Sequence, residues 1–143
     1  MDDNAFRATW REVNPIPCAF EKALVSRNFR CAKAVWVNVA ERETLGCATE
    51  ELASACADLL QHLRHKAVFA LHLTHADGVL PHAKEMKVQV GGLQGVQSVL
   101  APQERTDDAQ RLVAAARERF GDWQALPYGE IVKAIAAFTW RRR

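Results

Sequence analysis

Four cysteines, Cys18, Cys31, Cys47 and Cys56, are the residues whose type suits a metal or redox site. Twelve, fifteen and eight residues separate them. That spacing holds no Cys-x-x-Cys pair and no ferredoxin run, so pattern alone names no metal. Cys31 and Cys56 fall on apolar helical stripes, where a buried free thiol is an ordinary core residue. Cys18 and Cys47 fall at a helix edge and a turn, where packing asks less of a thiol and the thiolate is easier to reach. Four thiolates without imidazole suit a 4Fe-4S cluster or structural zinc. Zinc sites draw on tight Cys pairs, absent here, so ligands spread over separate elements fit a cluster better. Lys22, Arg27, Arg30 and Lys33 lie near in sequence and suit either the charge of such a cluster or a solvated face.

Other chemistry finds less support. His62, His65 and His72, with His75 at the edge, share one side of a long predicted helix, roughly opposite Cys56. They read as a solvated polar face, since no carboxylate falls among them to complete a metal site. His82 stands alone at a helix start. No GxSxG elbow, HExxH or paired-carboxylate signature appears, and nothing singles out Cys47 as a nucleophile, so no catalytic residue is assigned. Gly91, Gly92 and Gly95 lack the spacing of a phosphate or dinucleotide loop and predict close packing against a neighbouring helix.

The elements that must position the thiols read as helices. Phe6, Trp10 and Val13 predict a helix over 3–13, broken by Asn14-Pro15-Ile16-Pro17. Phe20, Leu24, Cys31, Val35 and Val39 follow one helical face over 18–43, with a weak polar stretch at 26–30. A straight helix there would hold Cys18 and Cys31 about 20 Å apart, so a shared site requires a break near Arg27–Arg30. Leu45-Gly46-Cys47-Ala48 reads as a turn and Thr49 as the N-cap of a helix over 50–74. Further helices are expected over 81–100, from Thr106-Asp107-Asp108 to Gly121, and around Ile131, Ile135 and Phe138. A strand over Lys87–Val90 is the alternative within the first of these. Pro102 is expected to end that helix, and Arg141-Arg142-Arg143 to complement the dipole of the last.

The predicted fold is therefore all-α, a single-domain bundle of five to six helices over 1–143. A 49% apolar and 25% charged composition is ordinary for a globular chain. A formal charge of +2 points to neither nucleic acid nor an anionic membrane. No apolar run reaches spanning length, and the acidic Met1-Asp2-Asp3-Asn4 start is unlike a signal peptide. The expected location is cytoplasmic, where thiols stay reduced.

Asn14 to Leu24, Ala40-Glu41-Arg42-Glu43 before Cys47, and Leu80-Pro81-His82-Ala83-Lys84 with Gly91-Gly92 together resemble small multi-cysteine helical proteins of proteobacteria. That group carries no established activity. The resemblance implies thiols that matter and transfers no catalytic residue. The functional expectation is a 4Fe-4S protein, with Cys18, Cys31, Cys47 and Cys56 as ligands, in electron transfer or redox sensing rather than catalysis. A redox or regulatory protein partner is expected, and homo-oligomerisation is left open. The alternatives are a metal-free helical adaptor or dimerisation module with core cysteines, and a structural zinc protein.

Overall fold

The computed structural model describes residues 3–101 and 105–139. In chain order it contains α1 (Asp3–Val13), α2 (Glu21–Val25), β1 (Ala34–Val39), β2 (Arg42–Cys47), α3 (Glu50–Ala67), α4 (His82–Met86), a π-helical turn (Lys87–Gly91), α5 (Gly92–Leu100), α6 (Ala109–Phe120), a 3-10 turn (Trp123–Ala125) and α7 (Tyr128–Ala137). Pro102 and Arg141-Arg142-Arg143 lie outside the described residues. No described helix is long and apolar enough to cross a membrane.

The all-α expectation is corrected: helices surround a two-stranded antiparallel sheet, β1 against β2. The predicted helix over 18–43 survives only as the short α2. Its break does fall within the weak stretch, where Arg27 takes a left-handed φ of 66°. Beyond it, Cys31, Val35 and Val39 are spaced by four, a spacing that satisfies a helix and a period of two equally well. Val35, Val37 and Val39 alternate along β1, and β-branched residues favour the pleated surface. The register pairs Val39 with Arg42 and Ala34 with Cys47. The two residues between the strands, Ala40 and Glu41, have φ of 50° and 72°, the left-handed pair that suits the twist of a tight hairpin. Cys47 thus closes β2 rather than sitting in a turn.

Helix α3 begins as expected, with the Thr49 hydroxyl accepting from the Leu52 N–H at 3.3 Å. It ends at Ala67, short of the predicted 74. The chain then turns, His72 adopts φ 54°, and Lys84 Nζ donates to the freed Leu71 carbonyl at 2.7 Å. His72 and His75 therefore leave the helix that was expected to carry them.

Residues 82–100 form one helical run, and the alternative strand over 87–90 is absent. Its middle is a π turn, in which the buried Gln89 accepts from the Ala23 N–H at 3.1 Å and so ties the run to α2. The expected close packing is found: a β-carbon on Gly91 would lie 2.6 Å from Ile135 Cα, and one on Gly95 2.8 Å from Ile131 Cα. Leu59, Leu63, Val90, Leu93, Val96, Leu112, Ile131 and Ile135 are buried in the core that α3, α5, α6 and α7 enclose. The hairpin, α2 and the first turns of α3 sit at one margin of this core, and there the cysteines gather.

Candidate metal centre

Each thiol arrives from a different kind of backbone. The connector after α1 runs antiparallel to β2: Pro17 bridges Gly46, the Cys18 N–H donates to the Leu45 carbonyl at 3.0 Å, and the Cys47 N–H donates to the Ile16 carbonyl at 2.8 Å. Proline suits this position because an edge strand needs no N–H from it. Cys18 stands opposite Leu45, and Leu45 shares a strand face with Cys47. The two cysteines are therefore diagonal neighbours on one face. The buried Asn14 secures the connector by donating its side-chain N–H to the Leu45 carbonyl at 2.9 Å.

Cys31 sits in the loop between α2 and β1, and Cys56 in the second turn of α3. All four thiols are free and half-buried, and all four line one small cavity. Phe20, Leu24 and Leu52 form much of its apolar wall, and among the described residues no histidine or carboxylate lines it and Lys33 is its one cation. The break that a shared site requires is present: the chain turns after α2 and brings Cys31 to the same cavity as Cys18, and β2 and α3 bring Cys47 and Cys56 there.

Burial dominates the electrostatics. It pushes the Cys18 and Cys56 thiols up to about 12. Negative charge on Cys31 or Cys47 would raise Cys18 further, and charge on any of the other three would raise Cys56. Cys31 is raised by burial as well, and also by the Asp108 carboxylate. Backbone N–H groups of Lys33 and Gln110, the latter in the first turn of α6, oppose the rise. The Phe20 N–H does the same at Cys18. N–H groups near a sulfur favour its negatively charged form.

Among the described residues no group of three or more Cys, His, Asp or Glu is placed to hold a single ion. Tetrahedral zinc would need its sulfurs about 3.8 Å apart, from Zn–S bonds of about 2.3 Å. The donor set, four thiols in an apolar wall, fits a cluster with more widely set ligands. The cavity measures about 20 Å³, the space of about one water, so the lining side chains would have to move apart to admit a cluster.

The cations suggested by sequence proximity separate in space. Lys33 reaches the cavity wall. Arg27 stacks over Trp36, 4.5 Å from the ring centre, and meets Glu43 at 3.7 Å. Arg30 pairs with Asp107, and Lys22 Nζ lies 2.7 Å from His82 Nδ1. The histidines stay away from the thiols. His62 stacks on Tyr128, and His65 meets Asp77 at 3.5 Å, an acid that sequence spacing did not place beside it. Sequence reasoning also missed Asp108 and Gln110 beside Cys31. The Asp108 cap was legible as a helix start, but its partner lies on the loop 76 positions away.

No protein-family model matches the chain, and no curated protein or solved structure matches it either. The chemistry of the site rests on its own residues.

Proposed function

We propose that the protein holds a 4Fe-4S cluster on Cys18, Cys31, Cys47 and Cys56 and serves electron transfer or redox sensing with a protein partner. The observation that carries this reading is the convergence of cysteines from four separate backbone segments on one cavity that, among the described residues, has no other metal-binding side chain in its lining. A core that merely tolerated thiols has no need to collect all four at one point. When bound, a cluster supplies one-electron chemistry whose potential follows charge, hydrogen bonds to sulfur and solvent access. The chain's own residues set each of these. Phe20, Leu24 and Leu52 exclude water, the Phe20, Lys33 and Gln110 N–H groups face two ligand sulfurs, and Lys33 balances charge.

The test is iron, zinc and acid-labile sulfide content, with the visible spectrum, of protein purified without oxygen. About four irons and four sulfides per chain, lost on Cys→Ser substitution at any of the four positions, are the expected result. Zinc alone, removable with loss of the fold, would replace the cluster by a structural ion.

A second reading draws on the hairpin, where Val35 and Trp36 are 44% and 45% exposed. They point to opposite faces of β1, and Arg27 stacks on Trp36, so they offer a metal-free adaptor or dimerisation module two separate apolar contacts. Absence of metal, with Cys18→Ser and Cys47→Ser folding normally, would favour it.

A further inference from the structure

Cys31 lies on the loop between α2 and β1, and the residues on both sides of it are bonded to the start of α6. The Arg30 N–H donates to the Asp107 carbonyl at 2.9 Å, and the Ala109 N–H donates to the Arg30 carbonyl at 2.7 Å. The Ala32 N–H donates to Asp108 Oδ1 at 3.3 Å, and the same oxygen accepts from the Gln110 N–H at 3.0 Å. Arg30 completes the joint, with Nε on Asp107 at 2.8 Å and Nη1 on Asp108 at 3.6 Å. Asp108 is only 7% exposed, and one of its oxygens serves the Cys31 loop and the α6 cap together.

We propose that Asp108 is the positioning residue of the thiol site: it fixes Cys31 against α6 and places a negative charge beside that ligand. Its two effects are separable by substitution. Asparagine keeps a side-chain oxygen for the Ala32 and Gln110 N–H groups and removes the charge, whereas alanine removes both. The charge effect rests on the cluster reading. The positional effect does not, because it concerns the loop itself.

The experiment compares wild type, Asp108→Asn and Asp108→Ala in two preparations. In chelator-treated, reduced protein, alkylation of each cysteine by iodoacetamide is followed by peptide mass spectrometry. Loss of a cap worth about 1 kcal/mol corresponds to roughly fivefold more local opening. Cys31 should therefore react about fivefold faster in Asp108→Ala, with Cys56 unchanged. Asp108→Asn should stay near wild type. Equal Cys31 rates in all three proteins would overturn the positioning role, whatever metal is found.

In protein purified without oxygen, Asp108→Asn should retain its iron and show a more positive reduction potential, because a negative charge beside a ligand disfavours adding an electron. Asp108→Ala should lose iron faster in air. An unchanged potential in Asp108→Asn with full iron would overturn the charge role. A wild type without iron would sink the cluster reading and the charge role with it, and the alkylation contrast would still decide the positional one.

Discussion

Gly46 faces Asn14 so closely that a β-carbon on the glycine would take the place of the Asn14 side-chain oxygen. This contact sits at the joint that aligns Cys18 with Cys47, since Asn14 holds the connector to β2 through the Leu45 carbonyl. The backbone oxygen of Ile16, 3.2 Å from the same point, leaves no second direction for the methyl group. Gly46→Ala should therefore push the connector off the strand and destabilise the protein by about 1–3 kcal/mol, the usual range for overpacking. A shift of the urea midpoint at constant slope measures it. An unchanged midpoint would show that Asn14 yields without loss and that the joint is loose.

How far the site could be read in advance follows from this same region. The cysteines were legible as a group, and the need for a break after α2 was legible from distance alone. The hairpin was not. A two-residue hairpin loop normally announces itself by Asn-Gly or Asp-Gly, and here Ala40-Glu41 takes the left-handed conformation without either signal. The apolar residues at 31, 35 and 39 then matched a helical face as well as a strand. The connector over 14–18 was read as a helix breaker, which it is, but its pairing with β2 depends on residues some thirty positions away. Helical identity was the easier part: the Thr49 start, the helical run over 82–100 and the Gly121 end follow their local chemistry, whereas the π turn within that run and the end of α3 at Ala67 did not show.

The packing of α5 on α7 makes a sharp contrast between glycines. A methyl group on Gly91 or Gly95 would press on the α7 backbone at 2.6–2.8 Å, where no flexible side chain can move aside. Either Gly→Ala change should destabilise by about 1–3 kcal/mol or more. Gly129, in the first turn of α7, has open space around its β-position. Gly129→Ala should raise stability by about 0.4–1 kcal/mol by restricting the unfolded chain. Thermal unfolding of the three variants side by side checks both signs, and a stabilised Gly95→Ala would refute the close approach.

Arg64 and Glu85 form a pair at the junction of α3 and α4. Glu85 is 3% exposed, and both its oxygens accept from the Arg64 guanidinium. Removing the arginine strands a buried carboxylate, which costs about 3–5 kcal/mol, more than the pair itself contributes over an apolar replacement. Arg64→Ala should thus be far more damaging than the double change Arg64→Met with Glu85→Leu. Denaturation curves decide, and equal losses in the two proteins would mean that water reaches Glu85 after all.

The buried thiols give stability a defined dependence on pH in chelator-treated, reduced protein. Burial raises Cys18 and Cys56 from 9.0 to about 12, and raises Cys31 in the same direction. Tyr128 rises from 10.0 to about 12 for the same reason. Between these limits the folded chain keeps protons that the unfolded chain releases, so stability falls as pH rises through that window. It is fully present below about pH 9, where both states are protonated. On the cluster reading, bound metal would reverse the dependence at lower pH. Thiols would have to lose protons to bind it, so on that reading apparent affinity would climb from pH 6 to 8, by roughly tenfold per unit for each proton released. Unfolding midpoints from pH 7 to 11 should decline, with a shallower decline in Cys56→Ala. A flat profile to pH 11 in the unsubstituted protein would show that the thiols are solvated rather than sealed under Phe20 and Leu52.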